Sequence, residues 1–238
     1  RGKKGAIGTM PKFNDGRLND IRGLHVREEH VREALRLAEE GSPDFEEGAV
    51  GAGTGMCCLG FKGGIGSASR CVELDGNEYT IGALVLSNFG EEGNLVIGGR
   101  RYGSELLPKV KERLKSDIDS SLAKDKGSII MLIATDIPMS SRQLERVANR
   151  AAIALGRTGS YMGNGSGDIA IAFSTANRMP HYSEQSLLEM KVIHEDAIDK
   201  VFEPAVEALE ESIISSLYHA KTTRGVRGKL VYGLREFI

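Results

Sequence analysis

Eight glycines stand between Gly48 and Gly66, in the stretch "DFEEGAVGAGTGMCCLGFKGGIGSASR". Each glycine inside a helix costs about 1 kcal/mol relative to alanine, so this density excludes a helix. Apolar residues recur among the glycines too regularly for a free linker, and the segment reads as a shaped loop system. The whole chain has 30 glycines in 238 residues, well above the usual share of about 7%.

The flanking segments supply regular elements. "VREEHVREALRLAEEG" has helical spacing and predicts a helix over Arg27 to Glu40 that packs one face. From Cys71 the pattern turns β-like: "RCVEL", the turn "DGNE" and "YTIGALVLSNFG" form a hairpin signal, with "NLVIGG" as a further strand. "LLPKVKERLKSDIDSSLA" has some helical character, and "GSIIMLIATD" has the length and continuity of a strand buried on both faces. "SSRQLERVANRAAIALGRTG" predicts one helix with Ser141 as its N-cap and Leu144, Val147, Ala151 and Leu155 inward. "DIAIAF" predicts a strand and "FEPAVEALEESIISSLYHAK" a long amphipathic helix. A β-rich middle flanked by helices, without regular βαβ alternation, is an α+β pattern.

Composition narrows the function classes. Thirty-one Lys and Arg against 33 Asp and Glu leave a net charge of −2 and no basic field for nucleic acid or an anionic membrane. No apolar run approaches the roughly 20 residues of a membrane span, and the expected compartment is the cytoplasm. Cys57, Cys58 and Cys71 read as free thiols. The five histidines lack metal-ligand spacing, and "GAGTGM" lacks the Gly-Lys-Ser/Thr of a phosphate loop, so no metal or cofactor is expected. Arg142, Arg146 and Arg150 form a helical stripe that suits either an anion or a solvated face.

"YMGNGSGDIAIAFST" places Ser166 between Gly165 and Gly167, with a strand immediately after. In a Gly-x-Ser-x-Gly elbow the serine follows a strand and precedes a helix, the reverse of this order. A serine made N-terminal by cleavage of its own Gly165–Ser166 bond fits the order better. Its freed α-amine, with an unperturbed pKa of about 7.7–8.0, could serve as base for its own hydroxyl. A turn capped by an inert serine is the competing reading. In the last helix Val206, Leu209, Ile213, Ile214 and Leu217 define an apolar arc with Glu210 near its middle, while Glu207 and Glu211 lie at or outside its border. A carboxylate on a buried face is either paired or functional.

"LNDIRGLHV", "GAVGAGTGM", "FKGGIGSASR", "YTIGALVLSNFG", "GSIIMLIATDIP", "NGSGDIAIAFSTAN" and "EALEESI", in this order, resemble the DmpA-type aminopeptidases. That family includes the L-aminopeptidase/D-esterase and the β-peptidyl aminopeptidases. The resemblance implies a four-layer α-β-β-α sandwich of the DmpA and ornithine acetyltransferase type, here lacking the N-terminal third. It implies a self-processing serine hydrolase that releases N-terminal residues from small peptides, amides or esters without a metal, and a homo-oligomer, by resemblance a tetramer. Residues 1–238 would form one catalytic domain, with 10–165 and 166–238 as its two processed parts. Ser166 and Glu210 would be catalytic, Gly165–Ser166 the processed bond, and Asn88, Gly167 and Asp168 oxyanion or substrate contacts. Many members carry a tyrosine just ahead of "FKGG", where this chain has Cys58 and Leu59. The alternative is a degenerate, non-catalytic member that acts as a binding or structural protein.

Overall fold

The computed structural model describes residues 14–41, 44–115, 127–182 and 184–238. Residues 10–13 of the expected first part, and the 116–126 end of its charged stretch, lie outside the described residues. The architecture is α+β, as the sequence predicts. Its centre is a four-stranded sheet of β3 (Gly64–Leu74), β4 (Asn77–Asn88), β5 (Ser128–Thr135) and β6 (Ile169–Ser174), in that spatial order. Two short strands, β1 (Cys57–Cys58) and β2 (Phe61–Lys62), form a hairpin ahead of it.

β3 and β4 are joined by a two-residue turn in which Asp75 (φ 52°) and Gly76 (φ 75°) are both left-handed, the geometry that matches strand twist. β5 runs antiparallel to β4 with Ser128 opposite Asn88, and β6 runs parallel to β5. Parallel neighbours need a long crossover, here built from α3 (Ser141–Ala148) and α4 (Ala151–Thr158). β3 begins at Gly64, seven residues ahead of the predicted start, because "GIGSASR" carries few large apolar residues to reveal its alternation.

The long helix α5 (Asp199–His219) covers β3 and β4 and packs against α4, burying Leu209, Ile213 and Leu217 completely. Full burial of such side chains contributes roughly 1.5–3 kcal/mol each. The approach to the sheet is close enough for direct polar contact. Ser212 Oγ donates to Ala83 O at 3.2 Å, and the buried Ser87 and Ser216 hydroxyls meet at 2.6 Å. A Cβ on Gly66 would fall against the α5 backbone at Ser212 O and Ser216 N.

Among the described residues the opposite sheet face is open. Ile171 is 49% exposed, and Phe173, 46% exposed, lines with the half-buried Leu84, Leu132 and Ala134 an apolar groove of about 410 Å³. Of the four layers the resemblance implies, the described residues supply one four-stranded sheet and the helix layer on one of its faces. β5 accordingly has one buried and one half-buried face, not two buried ones.

Three further expectations are corrected. The helix over 141–159 is two helices, capped by Ser140 in a reciprocal box with Gln143 and broken at Asn149–Arg150, where the Arg150 guanidinium stacks on Phe202. "NLVIGG" is not a strand. Gly98 and Gly99 are left-handed, and Val96 N–H is donated to Thr158 O, so its backbone pairs with the helix layer. Helix α1 (Glu28–Glu40) forms where predicted but buries nothing, with Val31, Leu35 and Leu37 at least half exposed. "LLPKVKERL" lies in α2 (Tyr102–Leu114).

Gly66→Ala is expected to destabilise the fold by about 1–3 kcal/mol, the usual cost of overpacking. Gly82→Ala, whose Cβ meets nothing closer than Ala134 O at 3.9 Å, should change stability by less than about 1 kcal/mol. Urea unfolding of the two variants measures the difference.

Candidate active site

The loop that carries Ser166 is anchored before it reaches the sheet. α4 ends at Gly159 (φ 103°), and Tyr161 then donates its hydroxyl to Glu91 at 3.3 Å. Met162, also left-handed (φ 52°), is held by a hydrogen bond from its N–H to Ser160 Oγ at 3.1 Å. Ser166 N–H donates to Gly163 O at 2.8 Å, closing the turn. β6 starts three residues later, so the sheet fixes the position of the hydroxyl.

Around Ser166 the groups are tightly matched. Its Oγ donates to Asp168 Oδ1 at 2.6 Å, and the same oxygen accepts Ile129 N–H at 3.3 Å. Gly167 N–H donates to Ser128 Oγ at 3.0 Å. Asp168 Oδ1 thus links the Ser166 hydroxyl to the backbone at the start of β5. Gly167 N–H is already spent on Ser128. Gly165 is exposed at the apex of the turn.

Asn88 lies across the ladder from Ser128. It is 7% exposed, and its Oδ1 accepts Cys57 N–H at 3.0 Å. With the oxygen so engaged, the Nδ2 end has no hydrogen-bond partner among the described residues. Asn88 lines a cavity of about 430 Å³ whose wall also includes Arg17, Cys57, Leu59, Phe89, Glu92 and Gly127. A buried, unpartnered amide donor in a cavity wall is suited to a carbonyl or oxyanion oxygen. Ser166, Gly165, Gly167, Asp168 and Glu210 do not line that cavity; the link runs from Asn88 through Ser128 to Gly167.

On α5, Glu210 is the least exposed of the three glutamates, but it stands at the edge of the buried face and not near its middle, because that face runs through Ala205, Leu209, Ser212 and Ser216 and leaves out Ile214; it pairs with Arg157 of α4 at 3.2 Å. Glu207 and Glu211 both pair with Arg70 of β3, at 3.0 and 2.7 Å. The arginine stripe, with Arg142 and Arg146 on α3 and Arg150 at the break before α4, has its own partners. Arg142 and Arg146 both pair with Glu195, which keeps that carboxyl below its ordinary range, and Arg146 also lies over Phe202.

Two features of the glycine-rich segment escaped the sequence reading. Lys62 is fully buried and donates to three backbone carbonyls, Gly53 O (2.7 Å), Met56 O (2.8 Å) and Gly63 O (2.7 Å). Burial also pushes the Cys58 thiol up to about 12 and raises that of the half-buried Cys57. All three cysteines are free, Cys71 being exposed. The only trace of Lys62 in the sequence is a cation set among apolar and glycine residues in "LGFKGG".

The family model described as "Peptidase family S58" matches residues 4–231. The chain belongs to peptidase family S58. Among curated relatives, the β-peptidyl aminopeptidase BapA of Sphingosinicella microcystinivorans is 43% identical over 225 residues, covering 92% of this chain and 56% of the relative. The enzyme of that name from Sphingosinicella xenopeptidilytica is 38% identical, covering 92% and 55%. The chain therefore spans a little over half the length of the curated relatives it matches. Among solved structures, the L-aminopeptidase D-Ala-esterase/amidase of Ochrobactrum anthropi is 39% identical with a TM-score of 0.79, covering 92% of this chain and 58% of that one. It is described as a prototype for the serine aminopeptidases and a new variant among the Ntn hydrolase fold. The PH0078 protein of Pyrococcus horikoshii OT3 is 52% identical, with a TM-score of 0.80 and coverage of 93% and 57%.

Ser128→Ala is expected to leave Gly167 N–H without its acceptor, at a cost of about 1 kcal/mol. Hydrogen exchange at the Gly167 amide should then accelerate about fivefold, while amides in the middle of β4 keep their wild-type rates.

Proposed function

We propose that this S58 chain is the catalytic part of a self-processing serine aminopeptidase, with Ser166 as nucleophile. The observation that carries the reading is the arrangement at the start of β6. Ser166 Oγ is oriented by Asp168 at 2.6 Å, on a loop tied through Ser128 to the strand pair that presents Asn88 to the cavity. The names of the relatives support N-terminal residues of small peptides, amides or esters as substrates.

In processing, Ser166 Oγ attacks the carbonyl carbon of Gly165, the peptide C–N bond breaks, and the hydroxyl proton passes to the leaving nitrogen. Water then hydrolyses the resulting ester. The products are a chain ending in the Gly165 carboxylate and a chain beginning with Ser166, so that 10–165 and 166–238 are the two parts of one catalytic domain. In turnover, the new α-amine, with an unperturbed pKa of about 7.7–8.0, takes the proton from its own hydroxyl as Oγ attacks the substrate acyl carbon. The free Nδ2 of Asn88 is the donor we assign to the developing oxyanion. Glu210, held by Arg157, is the carboxylate of the last helix available to the amine or to a substrate ammonium. The homotetramer implied by the resemblance belongs to this same reading.

Ser166→Ala should run as one uncut polypeptide on a denaturing gel and hydrolyse an amino-acid anilide at least about a thousandfold more slowly than wild type, as expected for loss of a nucleophile. Two fragments from that variant would overturn the processing mechanism. A folded wild type that remains uncut and inactive would favour a non-catalytic, binding role.

A further inference from the structure

Lys62 has no part in the reaction as described, yet it is the most completely buried cation among the described residues. Its ammonium has three N–H groups, and each meets a backbone carbonyl at 2.7–2.8 Å. Those carbonyls come from three places: Gly53, at the end of the 3₁₀ turn Gly51–Gly53; Met56, just before β1; and Gly63, just after β2. No carboxylate is within hydrogen-bond reach of Nζ among the described residues. Three carbonyl oxygens converging on one point repel each other unless a cation lies between them, so Lys62 occupies the place a bound metal ion would take in a glycine-rich loop.

The loop held in this way reaches the site through one bond. Met56 O, an acceptor of Lys62, precedes Cys57 by one residue, and Met56 O also accepts Gly63 N–H at 3.0 Å. Cys57 N–H in turn holds Asn88 Oδ1 at 3.0 Å, which leaves Nδ2 as the unpartnered end of the amide of a residue that lines the cavity. We propose that Lys62 is a positioning residue, an internal cation that fixes Met56–Cys57 and thereby sets which end of the Asn88 amide faces the cavity. The inference rests on the reading of Asn88 as the oxyanion donor for its catalytic meaning, but its geometry can be tested without turnover.

The titratable groups that act on Lys62 are Cys57 and Cys58 on the neighbouring strand and Asp15 in the turn before α1; Arg17 and Glu92 act in turn on Cys57. Burial pushes Lys62 down to about 8, whereas both thiols are pushed up. Raising the pH through 8 therefore removes one N–H from Nζ before Cys58 ionises, releasing one of the three carbonyls.

The test follows the Asn88 side-chain ¹³Cγ resonance, assigned by its loss in Asn88→Ala, together with Lys62 ¹³Cε from pH 6.5 to 9.5. In wild type the two should titrate together with a midpoint near 8. Lys62→Arg, which keeps a charge at every pH in the range, should hold Asn88 near its acid-form position without an inflection. Lys62→Met should displace the Asn88 resonance at all pH values and raise exchange at the Cys57 amide at least tenfold. The wild-type titration needs no variant to fold. An Asn88 resonance that stays fixed while Lys62 titrates overturns the proposal, whatever the variants do. Because this readout is structural, it can fail while the Ser166 processing test succeeds, or hold while that test fails.

Discussion

The parallel pairing of β6 with β5 is the constraint on which the candidate site depends. In an otherwise antiparallel sheet it forces the chain out of β5, over the helix layer through α3 and α4, and back to the end of the sheet from which β5 starts. The returning chain must then meet the sheet at the level of Ser128. Since Ser128 is also opposite Asn88, one ladder position aligns the turn of Ser166, the hydroxyl that accepts Gly167 N–H, and the amide in the cavity wall. The helix layer holds that register from the other side. Gly66 lets α5 lie against the sheet, and the hydroxyls of Ser87, Ser212 and Ser216 make the contact polar without leaving buried groups unpaired.

Much of this was legible in the sequence because its signals are local. The Asp75–Gly76 turn announces the β3–β4 hairpin and the continuous run around Ile129 to Ala134 announces β5, whereas the arc on α5 is displaced toward Ile214 because the small buried residues Ala205, Ala208, Ser212 and Ser216 carry no apolar signal large enough to centre it. The failures share another cause. "NLVIGG" has strand composition, but its backbone is satisfied by Thr158 and by its own left-handed glycines, which no periodicity can reveal. α1 shows that an amphipathic pattern predicts a helix without predicting what covers it. The open face of the sheet, with Ile171 and Phe173 exposed, shows likewise that apolar alternation fixes where a face points and not its partner.

The site itself was legible as residue types but not as bonds. Ser166 between glycines and ahead of a strand could be singled out from order alone. That Asp168 accepts from its hydroxyl, that Gly167 N–H is engaged by Ser128, and that Asn88 is turned by Cys57 depend on contacts across 31 to 39 residues of sequence, or on a rotamer. Lys62 is the sharpest case. A lysine beside glycines suggests a phosphate loop, and only the three converging carbonyls identify it as the cation that folds the loop on itself.

The processing proposed for this site is one chemical event, the exchange of the Gly165–Ser166 peptide bond for a free amine beside the serine hydroxyl. The intact mass of the purified wild-type protein addresses that event directly. The account predicts two polypeptides, one ending at Gly165 and one beginning at Ser166, whose masses sum to that of the uncut chain plus one water. A single mass equal to that of the uncut chain, from protein shown to be folded, would contradict it.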